Sequence, residues 1–321
     1  MRRPGAFTPE DILKIALILA ILVVDVVWIA LASYRFALAS AVRVCVVVGV
    51  LLAVAEFYRR LRPNPHFVVM VRETAWLLAF SAAGAVLSNL VVTLNFSLVD
   101  AHLAAWDRAL HLDWQAYYAY VVARPVFGLV YAFLYFLALP FIAFGVIALA
   151  VMKRTDRASE LVLAAMIGAL IAIAISGLWP SSGALAFFRP DEALDLHHPI
   201  VDLDYKQAFF DLRSGAWTSF SLDEIRGLIA FPSYHAVLNT LIVLAFRGIW
   251  KFFWPLLVLN MTMLATAPVE GGHHFVDVIG GVIVAIAATY LASRLQRRLS
   301  AAPARPRPVE IDGTPAEMHR T

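Results

Sequence analysis

Apolar runs of about 18–25 residues recur along this chain, each long enough to cross a hydrocarbon core about 30 Å thick. Backbone groups find no water in that core, so such runs fold as helices that satisfy their own hydrogen bonds. Eight candidate spans are read, at approximately 11–33, 37–57, 74–96, 126–150, 160–178, 232–249, 252–268 and 274–293. Composition agrees: 61% of the 321 residues are hydrophobic and 15% charged, where soluble domains sit near a half and a quarter. The expected fold is an all-α polytopic transmembrane helical bundle of about eight spans.

The first run starts near Asp11 with no small-residue cleavage pattern behind it, which reads as a retained span rather than a removed signal peptide. Basic residues gather at span ends: Arg59, Arg60 and Arg62; Lys153, Arg154 and Arg157; Arg247 and Lys251; Arg294, Arg297 and Arg298, together with Arg2 and Arg3. All fall on one side of an eight-span topology, which the positive-inside rule makes cytoplasmic, with both termini. The long 179–231 segment then lies outside, acidic on balance and a candidate lid. The net charge of +3 is explained by these orientation signals, and no basic run with interleaved aromatics suggests a nucleic-acid partner. Residues from about Ala301 onward, rich in Pro and Arg, read as a disordered tail.

Between the third and fourth spans, Asp100, Leu103, Trp106, Asp107, Leu110, Asp113 and Trp114 repeat at helical spacing, which suits a helix lying in the interface plane. Asp25 and Arg43 fall inside spans at matched depth and are expected to pair across the first hairpin, since a lone charge in the membrane is costly. Cys45, the single cysteine, is expected to be a small buried apolar residue. His102, His111, His197 and His198 read as wet interfacial residues.

Two segments at outer span ends carry candidate chemistry. Phe231-Pro232-Ser233-Tyr234-His235 opens the sixth span; Pro and Ser suit a helix start, and His235 sits one turn in, where free amides attract phosphate. Gly271-Gly272-His273-His274-Phe275-Val276-Asp277 opens the eighth. His273 and Asp277 are four apart, so a helix puts them on one face, where a carboxylate fixes one imidazole nitrogen and leaves the other basic. His274, three from Asp277, is an alternative nucleophile. The two glycines are expected to let a substrate headgroup approach the backbone.

These motifs resemble the type 2 phosphatidic acid phosphatase superfamily, and more narrowly its branch of inositol phosphorylceramide and sphingomyelin synthases. Trp179-Pro180-Ser181-Ser182-Gly183 and Leu212-Arg213-Ser214-Gly215 add support. The resemblance implies an N-terminal membrane hairpin over 1–70, a six-helix catalytic domain over 71–298 and a tail over 299–321. It implies two-step phosphoryl transfer on a lipid phosphate or diphosphate drawn from the outer leaflet, without metal or other cofactor. His273 would form a phosphohistidine, Asp277 orient it and His235 serve as acid and then base. It also suggests a bacterial plasma membrane with the site facing the periplasm.

Two superfamily elements are missing from their expected places. The arginine six residues before the nucleophile is Ala267, and fitting the Lys-x(6)-Arg-Pro element onto Arg189-Pro190 puts Ser182 at the lysine. Arg213, Arg189 and Ser233 are therefore the candidate phosphate ligands. Two other classes stay open: a metal-dependent enzyme built on His235, His273 or His274, and Asp277, or a lipid transporter or scaffold whose histidines sense pH. The early spans would buttress the site or contact a second copy of the chain.

Overall fold

The computed structural model describes residues 7–189 and 199–301. Arg2, Arg3, Pro190, His197, His198 and the tail beyond residue 301 lie outside the described residues. The structure is a helical bundle with seven helices long and apolar enough to cross a membrane: α1 (Pro9–Leu31), α2 (Leu38–Arg60), α3 (Pro65–Leu90, prolonged by a 3-10 turn to Leu94), α6 (Pro125–Val151), α7 (Thr155–Leu178), α11 (Trp250–Glu270) and α12 (Phe275–Ala301). The remaining helices are α4 (Asp100–Ala109), α5 (Trp114–Val122), α8 (Ala184–Phe188), α9 (Leu203–Ser214) and α10 (Tyr234–Ala245).

The sixth expected span is corrected. Helix α10 has 12 residues, about 18 Å, and does not by itself match a 30 Å core. Pro232 and the Ser233 cap start it, and Gly248 at φ +82° lets the chain turn back into α11. This short helix is the centre of the bundle, packed by α6, α7, α11 and α12. Val237, Leu241 and Ile242 lie in the main core with Val162, Met166 and Ala285. At Gly281 of α12 an added Cβ would meet the Ser233 carbonyl oxygen at 2.4 Å, so glycine permits the close approach of α10 and α12 beside the site.

The ends bearing most of the basic residues do meet. Gln296 Nε2 donates to Glu10 Oε2 at 3.3 Å, placing the start of α1 and the end of α12 on the same side. There Lys14, wholly buried, donates to Glu73 at 2.6 and 2.7 Å and to Ser159 at 2.7 Å. Asp11 accepts from Arg72 at 2.9 Å and Trp76 at 2.8 Å.

The expected Asp25–Arg43 pair is not formed. Helices α1 and α2 each pack on α3. Arg43 instead binds Asp223, in the segment before α10, while both Asp25 carboxylate oxygens are buried with no hydrogen-bond partner among the described residues. Cys45 is likewise exposed on α2, not buried. The 100–114 stretch breaks into two helices at Leu110–Asp113. Its Asp100, Leu103, Asp107 and Trp114 side chains turn inward, so it is no simple interfacial helix.

The segment before α10 is fastened to the first hairpin by a two-residue parallel pairing of Arg35–Phe36 (β1) with Ser219–Phe220 (β2). Phe220, fully buried, packs with Phe209 and Leu212 of α9 and with Tyr34. This clamp holds α9 against the bundle.

Candidate active site

The tips of α10, α11 and α12 meet at one point. The Ser233 amide donates to the Asp277 carbonyl at 3.0 Å, locking the cap of α10 to the first turn of α12. The Ser233 hydroxyl, which caps α10, lies 3.2 Å from His273 Nε2. The other His273 nitrogen, Nδ1, faces Asp277 Oδ2 at 3.4 Å. His235 stacks on Tyr135 of α6, ring centroids 4.3 Å apart, with the Tyr135 hydroxyl 3.3 Å from Nδ1. A Cβ built at Gly271 would lie 2.7 Å from both the Tyr135 hydroxyl and His273 Cδ2, so these two groups are neighbours. His235, Tyr135, His273, Ser233 and Asp277 thus form one contiguous cluster.

That Gly271 contact corrects the expected use of the glycines. The space a Cβ would take is filled by Tyr135 and His273 at Gly271, and by Leu185 2.8 Å away at Gly272. They let the protein's own groups close on the site; they do not leave an opening for a headgroup.

His274 lies beside the cluster with a carboxylate near each ring nitrogen. Nε2 faces Asp100 at 3.6 Å and Nδ1 faces Asp107 at 3.4 Å. Burial opposes its charge, but the flanking carboxylates prevail and push its pKa up to about 9, so it is an imidazolium at neutral pH. Asp107 also accepts the Phe275 and Val276 amides at 3.1 and 2.9 Å, capping α12. Asp100 takes the Ser181 hydroxyl at 2.8 Å and the Ser182 and Gly183 amides at 3.1 and 3.0 Å, which ties the 180–183 turn to the site. The two acidic residues that sequence placed at the interface thus build the floor of the site. His273 is held neutral: burial, with the Lys206 and His274 charges nearby, pushes its pKa down to about 3.

The cation here is Lys206 of α9, 94% buried, which was not among the sequence candidates. Its Nζ lies 3.0 Å from where a Gly183 Cβ would sit, and its stem runs over Gly272. Burial pushes its pKa down to about 8, partly restored by the Asp277 and Asp100 carboxylates. The signal was in the sequence: Lys206 is followed after six residues by Arg213, with Ser214 where proline is usual. The Lys-x(6)-Arg spacing therefore falls on α9 rather than on Arg189-Pro190. Arg213 shares the α9 face with Lys206 but donates one guanidinium N–H to the Phe96 carbonyl at 2.7 Å. Arg189 is exposed, with φ +46° at the end of α8. Among the described residues no group of three or more His, Cys, Asp or Glu side chains is arranged to hold a metal ion.

Fold and site together define an integral membrane protein with imidazoles gathered at helix tips. The PAP2 superfamily model matches residues 101–291, more than half of the chain, and the chain belongs to that superfamily, a family of phosphatase-type enzymes for lipid phosphates. No curated protein and no solved structure matches it.

Proposed function

We propose that the protein transfers a phosphoryl group from a lipid phosphate ester through a phosphohistidine on His273. The orientation of the His273 ring carries this reading: Nδ1 is turned to Asp277, and Nε2 points to Ser233 in the cluster with Tyr135 and His235. Asp277 holds the proton on Nδ1, leaving a neutral Nε2 lone pair to attack phosphorus. His235 protonates the departing alkoxide, then takes a proton from water or an acceptor alcohol. Lys206, with the Ser233 hydroxyl, neutralises the phosphate oxygens, and Arg213 stands behind it on the same helix face. His274 is a poor nucleophile here, since both nitrogens face carboxylates and the ring is charged.

The basic helix ends would face the cytoplasm and the clamped outer segment the opposite side, so substrate would enter from the outer leaflet. Transfer to an alcohol, as in the lipid-synthase branch, fits the alanine at 267.

The test is phosphoenzyme trapping. Purified protein is quenched after mixing with radiolabelled lipid phosphate, with and without alcohol acceptors. Acid-labile, base-stable label in the wild type, absent from His273→Asn but present in His274→Asn wherever that variant is folded, supports the reading. Label retained in His273→Asn refutes it.

A further inference from the structure

Tyr135 is the one residue of the site cluster supplied by α6, and phosphoryl transfer as set out above assigns it no task. Its side chain is 4% exposed, its ring lies flat on His235 at an interplanar angle of 21°, and its hydroxyl faces His235 Nδ1 at 3.3 Å. The ring packs with Ala267 and Val201. The small side chain at 267, where the superfamily carries arginine, belongs to the same apolar contact that seats the tyrosine.

We propose that Tyr135 is the positioning residue for His235, a role that rests on the phosphohistidine reading. An imidazole serves as acid and then base only if one nitrogen carries the moving proton while the other keeps its own. The Tyr135 oxygen accepts from His235 Nδ1–H and pins that proton. His235 Nε2 is then the nitrogen that titrates. As the bond from His273 Nε2 to phosphorus forms and the ester P–O bond breaks, the proton on His235 Nε2 passes to the leaving alkoxide. In the second step Nε2 takes a proton from water as the P–N bond breaks and a new P–O bond forms. The stacked ring fixes the imidazole plane throughout. A tyrosine does this without adding negative charge beside a phosphate, which a carboxylate in the same place would do.

The consequence is dependence on the leaving group, because an alkoxide needs the proton and 4-nitrophenolate does not. The probes are a dodecyl phosphate ester and the corresponding 4-nitrophenyl ester, each as monoester and diester in mixed micelles. Tyr135→Phe keeps the ring and removes only the hydroxyl. It is expected to lower kcat/KM for the dodecyl ester about tenfold or more, while kcat/KM for the nitrophenyl ester stays within about twofold. Tyr131→Phe, one turn away on α6, is expected to change neither. Equal losses for both leaving groups, or no loss for either, would overturn the assignment to Tyr135. The underlying reading fails differently: wild-type protein would then turn over neither ester and carry no label on His273.

Discussion

Ser233 Oγ stands 3.2 Å from His273 Nε2, and the same oxygen accepts the Ala236 amide at 3.4 Å as the cap of α10. One hydroxyl therefore couples the start of a helix to His273 Nε2, the nitrogen proposed to attack phosphorus. Ser233→Ala is expected to cost about 1 kcal/mol of stability through the lost cap. Activity is expected to fall about tenfold, beyond what that cost explains, since His273 loses its partner. Ser233→Thr, which keeps the oxygen, should retain most of both. Thermal unfolding in detergent beside a phosphate-release assay checks this; equal activity in the alanine variant counts against the contact.

His274 carries a stability prediction with a definite sign. Its folded pKa, about 9, lies above the ordinary 6.5, so its contribution is fully present below about pH 6.5 and lost as pH rises through about 9. The unfolding midpoint should therefore fall between about pH 6.5 and 8, since above about pH 8 the lowered pKa of Lys206 adds a slope of opposite sign. His274→Gln leaves Asp100 and Asp107 without their cation and should cost about 3–5 kcal/mol at pH 6, with that alkaline slope gone. A variant as stable as wild type at pH 6 would contradict the bridging role.

The bundle was legible because spanning helices write themselves as long apolar runs, and seven of the eight reappear as long helices. Helix α10 was over-read because apolar residues continue past Ala245 while the backbone does not. The cluster about His235 and His273 was visible as histidines at two span starts, since helix tips at one depth converge when their helices pack side by side. Lys206 escapes the sequence reading because Ser214 stands where proline is usual after its Lys-x(6)-Arg spacing, and because its place over Gly183 and Gly272 depends on α9 folding back. Tyr135, ten residues into a span, looks like any core aromatic. Asp25 and Arg43 do not pair because their helices each face α3, which spacing along the chain does not record.

That failure gives a third prediction. Asp25 is buried without a partner among the described residues, so its polar group is a cost to the fold. Asp25→Leu is expected to raise the unfolding midpoint. Arg43→Ala should change stability by less than about 1 kcal/mol, because its pair with Asp223 is 59% exposed on both sides. A double charge swap at 25 and 43 should not rescue a reversal at Asp25. Thermal scans of the four variants decide; destabilisation by Asp25→Leu would mean the carboxyl has a partner after all.

Lys206, the cation proposed to meet the phosphate, gives the last prediction. Its ammonium is retained below about pH 8 and lost above, because burial has pulled its pKa down from 10.5. A phosphate diester, a monoanion across this range, should therefore bind with constant KM from pH 6 to 7.5 and with rising KM beyond pH 8, while His273, neutral throughout, adds no limb in that range. Lys206→Met removes the charge at every pH. It should raise KM about a hundredfold at pH 6.5 and flatten the alkaline rise, the loss of a charge-assisted contact of about 1.5–3 kcal/mol. The clamp gives a way to separate charge from position. Phe220→Ala, in the strand that holds α9 down, keeps the lysine but frees its helix, so KM should rise at all pH values while the pH 8 inflection persists. If Lys206→Met keeps the inflection, some other group titrates there and the cation assigned to this site is wrong.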